Sequence, residues 1–192
     1  MFTVDGVTLR PLEREDLDRL FAWSCDIELE MASGWAIPRS KAALQHKFEQ
    51  TLAAPPDDLR LFGIEVAGEL IGRIELALID HVQGRAAVGL FLGQKNQWGR
   101  GYACTALRLM LDYAFTVESL ARVYAEVYAF NVRSRKLMSA VGMTAEGVLR
   151  QHELHAGARH DMHLFGILRD ELYARYQTIF ALPSSVTGDG KA

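Results

Sequence analysis

Gln97-Trp98-Gly99-Arg100-Gly101-Tyr102-Ala103 runs directly into an apolar-periodic stretch over 107–115, and the extended segment Ala86-Ala87-Val88-Gly89-Leu90-Phe91-Leu92 precedes it. Strand, glycine turn and helix therefore arrive in the order that builds an anion site from backbone alone. Glycines at 99 and 101 let the main chain approach a ligand closely, because no Cβ stands in the way. The first N–H groups of the new helix then point at that ligand, and the helix dipole favours negative charge there. A dinucleotide fingerprint would need glycine at 99, 101 and 104, but position 104 is Cys. A nucleotide-triphosphate loop would end in Gly-Lys-Ser/Thr, whereas Gly99 is followed by Arg100-Gly101. The stretch taken alone is also compatible with a plain glycine-rich helix start.

Working outward, the pattern predicts a strand over 7–12, with Pro11 near its end suiting an edge position. A helix is expected over 13–30, with Leu17, Leu20, Phe21 and Trp23 facing inward, and a second over 41–53 capped by Ser40 and stopped before Pro55-Pro56. Segments 59–66 and 70–80 read as strands joined by a hairpin turn at Ala67-Gly68-Glu69, and 86–92 follows as a further strand. After a helix over 101–117, the β-branched and aromatic run 121–128 suits a central strand. Asn131 caps a short helix that ends at Gly142. Segments 148–155 and 159–168 flank Ala156-Gly157-Ala158 as a hairpin, a last helix is expected over 169–180, and 183–192 reads as a disordered tail. The result is a mixed α/β sheet with helices on both faces, in one domain over 1–182.

Composition narrows the function classes. The 192 residues fit one domain with a real core, and 49% hydrophobic content is ordinary for a globular chain. A formal charge of −3 argues against a nucleic-acid binder and fits a cationic amine substrate slightly better. Two distant cysteines, Cys25 and Cys104, make no disulfide framework and no metal spacing, which suits a reducing compartment. The start Met1-Phe2-Thr3-Val4-Asp5 lacks a signal-peptide pattern and no apolar run approaches a membrane span, so a cytoplasmic protein without a membrane partner is expected.

Four ordered segments over roughly 7–172, namely 7–12 with Asp16, Leu20 and Trp23, then 91–103, then 131–134 with Leu137 and Gly142-Met143, then 146–150 with Gly157 and His160-Asp161, together resemble the GNAT superfamily of N-acetyltransferases. Within it the sequence is most similar to the group holding the ribosomal-protein N-terminal alanine acetyltransferases and the spermidine acetyltransferases. Val7-Thr8-Leu9-Arg10-Pro11-Leu12 with Asp16, Leu20 and Trp23 resembles that group's opening strand and helix. Phe91-Leu92-Gly93 through Ala103 resembles its acetyl-CoA motif. Asn131-Val132-Arg133-Ser134, Leu137 and Gly142-Met143 resemble its second motif, and Glu146 to Arg150, Gly157 and His160-Asp161 its closing hairpin. The resemblance implies a mostly antiparallel sheet that splays between 86–92 and 121–128, with acetyl-CoA lying in the opening.

It also implies site roles. The main chain of Phe91, Leu92 and Gly93 would pair with the pantetheine arm, a role that needs only unpaired backbone. The amides of Gly99, Arg100, Gly101, Tyr102 and Ala103 would hold the pyrophosphate, with Trp98 where the wider superfamily has Gln or Arg. Asn131 is either a helix cap or a pantetheine ligand as well. Direct attack in a ternary complex is implied, with a backbone N–H near Leu92 stabilising the oxyanion. Glu75 is the first candidate for general base and Glu126 the second, each also readable as an ordinary strand residue. Many relatives place a tyrosine that protonates the thiolate where this chain has Met138; Ser134, Ser139 or water would then serve.

Four of the six histidines, His152, His155, His160 and His163, crowd the closing hairpin. Their spacing matches no structural zinc pattern, and one or two lining an acceptor pocket is the better reading. No metal is expected. Asp161 is either functional or a brace for the hairpin. The segment 32–38, with Trp35, is expected to help form the acceptor pocket. The acceptor itself stays open between a protein N-terminus and a small amine such as a polyamine or aminoglycoside. A non-catalytic acyl-CoA-binding module and a phosphate-binding regulatory domain are the rival classes. Dimers are common in this fold, although no segment fixes an interface.

Overall fold

A computed structural model describes residues 1–33 and 40–180. The tail expected over 183–192 and most of the segment around Trp35 lie outside the described residues. The strands β1 (Phe2–Val4), β2 (Val7–Arg10), β3 (Arg60–Val66), β4 (Glu69–Asp80), β5 (Arg85–Leu92), β6 (Arg122–Tyr128), β7 (Thr144–His155) and β8 (Ala158–Leu168) form one sheet in the order β1-β2-β3-β4-β5-β6-β8-β7. Every neighbouring pair is antiparallel except β5 and β6. The helices are α1 (Leu17–Ser24), α2 (Ile27–Ser33), α3 (Lys41–Ala53), α4 (Tyr102–Thr116), α5 (Val132–Val141) and α6 (Arg169–Tyr173).

Side-chain alternation divides the sheet between two cores. Ile74, Leu76 and Val88 face the main core with Leu107, Met110, Leu111 and Phe115 of α4. Phe91 faces a smaller core with Leu17 and Trp23 of α1 and Phe48 of α3. The site described below lies where the sheet splits, with Phe91 from this second face and Val88 and Met138 from the main core. No helix among the described residues is long and apolar enough to cross a membrane.

Three tight hairpins use the same turn chemistry. Asp5-Gly6, Ala67-Gly68 and Ala156-Gly157 each place two successive residues at positive φ, from 50° to 80°, which matches the right-handed twist of the flanking strands. The Asp5-Gly6 turn folds β1 back on β2, so β2 lies inside the sheet and Pro11 falls just past it; the edge expected for Pro11 belongs to β1.

Two helices depart from expectation. The single helix expected over 13–30 is a short turn at Arg14–Asp16 followed by α1 and α2, because Asp26 interrupts it. Its carboxylate accepts from the N–H groups of Glu28 and Leu29 at 3.0 and 3.3 Å and so starts a new helix. The last helix stops at Tyr173 rather than running to 180. Beyond it the Ile179 N–H donates to Asp112 at 2.8 Å, and Phe180 packs edge-on to Phe2, so contacts with α4 and β1 outweigh further helical turns. Ser40 caps α3 by accepting from Ala43 N–H at 3.2 Å, as its position predicts.

Candidate functional site

β5 and β6 pair only over Arg85↔Arg122, Ala86↔Val123 and Ala87↔Tyr124. Beyond Ala87 the two parallel strands fork, as expected between 86–92 and 121–128. A cleft of about 180 Å³ opens in the fork, walled by 88–91 of β5 and 125–128 of β6, with Arg73, Glu75, Asn131, Ser134 and Met138 around it. The chain continues from both open ends into helix N-termini, α4 after β5 and α5 after β6.

The α4 terminus has no side-chain cap. Gly99 and Gly101 sit at φ 76° and 88°, and nothing lies within 4 Å of where a Cβ on either would be. Cys104 and Thr105 donate to the Gly101 carbonyl, but the N–H groups of Gly99, Arg100, Gly101, Tyr102 and Ala103 have no backbone acceptor among the described residues. Five amides are thus left at the positive end of a helix of 15 residues, the arrangement that takes a phosphate or pyrophosphate. Arg100 beside them is exposed.

Glu75 occupies β4 directly opposite Gly89 of β5. Its carboxylate accepts from Arg73 Nη1 at 2.7 Å, and it lines the cleft. Glu126, also on the cleft wall, is exposed. Both candidate bases therefore share one cavity with Ser134 and Asn131.

Asn131 is a cap: its Oδ1 accepts from Ser134 N–H at 3.0 Å, while its Nδ2 donates to the Ala32 carbonyl at 3.0 Å. One amide hydrogen remains for a ligand. Met138 is 5% exposed and lines the cleft, so the site of the missing tyrosine is occupied by a thioether with no proton to give. Ser139 is exposed and does not line the cavity. Tyr128 does, and sequence reading passed over it as a central-strand residue. Burial and the charge of Glu153 push its phenol above the ordinary value, so it keeps its proton at neutral pH. The Tyr128 ring stacks on Phe130 at 4.9 Å, in the Tyr128-Ala129-Phe130-Asn131 run that leads into α5.

The Trp98 indole N–H donates to the Leu92 carbonyl at 2.9 Å, and the Arg133 guanidinium lies 4.5 Å from the ring centre. Trp98 thus ties the loop before α4 to β5 and to the first turn of α5. Phe91 lines the cleft; Leu92 and Gly93 do not. Gly93 carries the Trp23 ring so closely that a Cβ would come within 2.0 Å of it. That glycine is required by the packing of α1 on β5.

His155 is buried, stacks on Phe130 at 5.3 Å and approaches His160. None of the hairpin histidines lines the cleft; His155 and His160 pack on the Phe130 ring instead. Asp161 accepts from the Gln151 N–H at 2.7 Å and holds the irregular stretch of β7, where Gln151 has φ 50°. No group of His, Cys, Asp and Glu side chains suited to a metal occurs among the described residues.

Residues 7–144 match the model of the acetyltransferase (GNAT) domain family. The chain is 30% identical over 171 residues to the uncharacterised N-acetyltransferase p20 of Bacillus licheniformis, covering 87% of this chain and 95% of that one. It is 31% identical over 153 residues to the spermidine N(1)-acetyltransferase of Escherichia coli, covering 80% of each. The crystal structure of the spermidine N-acetyltransferase of Vibrio cholerae in complex with CoA and spermine superposes with a TM-score of 0.81 at 26% identity, over 88% of this chain and 99% of that one. The chain belongs to the GNAT family of acetyl-CoA-dependent N-acetyltransferases.

Proposed function

We propose that this GNAT protein acetylates a primary amine by direct attack on acetyl-CoA in a ternary complex, with Glu75 as general base. The observation that carries the reading is the set of five unpartnered amides at 99–103, reached from the open end of a strand fork whose cleft holds Glu75. The amides take the pyrophosphate, and the exposed Arg100 adds a cation beside it. The pantetheine arm runs down the fork along Phe91, Leu92 and Gly93, using backbone that β6 leaves unpaired, with Asn131 offering its remaining amide hydrogen.

The amine must lose a proton before its nitrogen lone pair can attack. Glu75 accepts that proton, directly or through water, and the nitrogen bonds to the thioester carbonyl carbon. Charge builds on the carbonyl oxygen, which a β5 backbone N–H stabilises. The carbon–sulfur bond then breaks, coenzyme A leaves as the thiolate, and the nitrogen sheds its second proton to water, which leaves the neutral amide. Met138 cannot help it; Tyr128, still protonated, donates a hydrogen bond to the sulfur, with Ser134 as the other hydroxyl on the cleft wall. Glu126 is the alternative base.

Both acceptor classes expected from sequence, a peptide N-terminus and a small amine, remain within this reading, as does a homodimer. The test is coenzyme A release from acetyl-CoA across a panel of amines, with Glu75→Gln and Asn131→Ala alongside. Turnover that Glu75→Gln abolishes and Asn131→Ala weakens through acetyl-CoA binding supports the reading. Tight acetyl-CoA binding without turnover of any amine would put a non-catalytic acyl-CoA-binding module in its place.

A further inference from the structure

A second, larger cavity of about 390 Å³ lies on the same face of the sheet as Glu75, between α1, α3 and strands β3 to β5. It is the part of the smaller core that does not close. Trp23 and Phe48 at its wall are buried, but Leu44 of α3 and Leu61 of β3 remain half-exposed around an open space. Its volume is that of a small-molecule site, and such sites are mostly apolar with a few placed polar groups.

Arg73, Glu75 and Phe91 line this cavity and the acetyl-CoA cleft alike. The two spaces therefore adjoin across these three side chains, with the proposed base on the partition. A ligand whose body fills the larger cavity can present its nitrogen to Glu75 on the thioester side.

The charges decide what that body is. Among the described residues the cavity wall carries two carboxylates, Glu30 and Glu75, and two cations, Lys47 and Arg73. They cancel, and Arg73 is bonded to Glu75. A linear polyamine brings further ammonium groups beyond the reacting one. Here those groups would find Glu30 as the one carboxylate besides the base, set beside Lys47, Arg73 and aliphatic surface, so the wall offers no net negative charge to hold several ammonium groups. An aromatic or aliphatic body would instead cover Leu44, Phe48 and Leu61, gaining from every apolar area removed from water.

We propose that the preferred acceptor is a primary amine carried on one compact apolar body of aryl-alkyl size, seated in this cavity with its nitrogen at Glu75. The proposal rests on the acetyltransferase reading above and deepens it.

The experiment compares coenzyme A release at saturating acetyl-CoA with phenethylamine, spermidine and a short peptide bearing a free N-terminal alanine. Phenethylamine is expected to show the highest kcat/KM, above spermidine by about tenfold or more, the scale on which an apolar pocket discriminates. Leu44→Glu, placing a charge on the apolar wall, is expected to raise the phenethylamine KM about tenfold with a smaller change in kcat. Thermal unfolding checks that this variant is folded. Lys47→Glu alters an exposed residue and makes the wall acidic; it is expected to narrow the gap by lowering the spermidine KM. Higher kcat/KM for spermidine or the peptide would overturn the apolar acceptor while leaving acetyl transfer standing. So would an unchanged phenethylamine KM in folded Leu44→Glu. Failure of all three amines, with acetyl-CoA bound, overturns the catalytic reading itself and this inference with it.

Discussion

Gly89 stands directly across the β4–β5 ladder from Glu75, and a Cβ at position 89 would come within 3.1 Å of the Glu75 Oε1 and 3.3 Å of its Cγ. The glycine is not there for its own backbone, since no positive φ is recorded for it. Its missing side chain is what lets the carboxylate lie over β5 toward the cleft. Gly89→Ala is therefore expected to displace the proposed base while sparing the fold. A strand gains slightly from alanine over glycine, and the clash falls on the end of a flexible side chain, so stability should change by less than about 1 kcal/mol. Misplacing a base by a fraction of an ångström to 1 Å costs roughly 10- to 100-fold in kcat. Glu75→Gln, which removes the proposed base altogether, should cost about 10²- to 10⁴-fold. Steady-state kinetics beside thermal unfolding of both variants checks the ordering; an unimpaired Gly89→Ala would show that the carboxylate does not act from this position.

The amides ahead of α4 make a second prediction. Gly101 at φ 88° faces open space, so alanine there meets no atom but must adopt a left-handed conformation, at about 1 kcal/mol or more. Relief of that strain turns the amides away from their common focus. Gly101→Ala is expected to weaken acetyl-CoA binding about tenfold, with kcat at saturating acetyl-CoA little changed. Gly6→Ala is the control: its φ is 76° and its surroundings are equally open, but it lies in the β1–β2 turn. It should lose similar stability and bind acetyl-CoA normally by calorimetry.

Tyr128 and Met138 carry a third. Tyr128→Phe removes a hydrogen-bond donor from the cleft without changing the ring that stacks on Phe130. A loss of about 10-fold in kcat is expected, with KM for acetyl-CoA unaffected. Met138→Tyr restores a hydroxyl at the position where many relatives have one. Because Met138 is buried in the main core, the larger side chain should cost about 1–3 kcal/mol in stability. In the Tyr128→Phe background it should nonetheless recover kcat. If Tyr128→Phe is fully active, the leaving thiolate needs no donor from β6.

What the sequence made legible was local. The glycines at 99 and 101, the caps at Ser40 and Asn131 and the turn at Ala67-Gly68 act within a few residues of themselves, so a linear pattern contains their whole physics. The Asp5-Gly6 turn was equally local, but reading the first strand from Val7 passed over it, and with it β1. The rest depends on contacts between distant segments. Trp23 reads as an inward helix residue, yet nothing in the chain says that it lies on Gly93, 70 positions away. Tyr128 looks like a strand residue until the fork places it on the cleft wall with Glu75 and Met138. The cluster of histidines suggests a pocket in sequence, whereas two of them, His155 and His160, pack on the distant ring of Phe130.

The seat of α1 should depend on pH through Asp16. Arg10, at the end of β2, donates to both Asp16 oxygens at 2.7 and 2.9 Å and to Glu65 of β3 at 2.6 Å, while Asp16 also accepts from Glu13 N–H at 2.8 Å. Burial alone would raise the Asp16 carboxyl, but Arg10 and the Glu13 amide outweigh it and hold the group below its ordinary 3.8. A carboxyl depressed in the folded state binds fewer protons there than in the unfolded chain, so its contribution is complete above about pH 4 and is lost as pH falls through the folded value. Asp16→Asn keeps the shape and loses the charge. At pH 7 it is expected to cost about 1–3 kcal/mol, the worth of hydrogen bonds to a charged partner, seen as a lower Tm by about 2–4 °C per kcal/mol. As pH is lowered below about 4 the two proteins should converge, since the wild-type carboxylate is being protonated while the amide is not. A Tm difference that persists unchanged into that range would mean that Asp16 stabilises the start of α1 by shape rather than by charge.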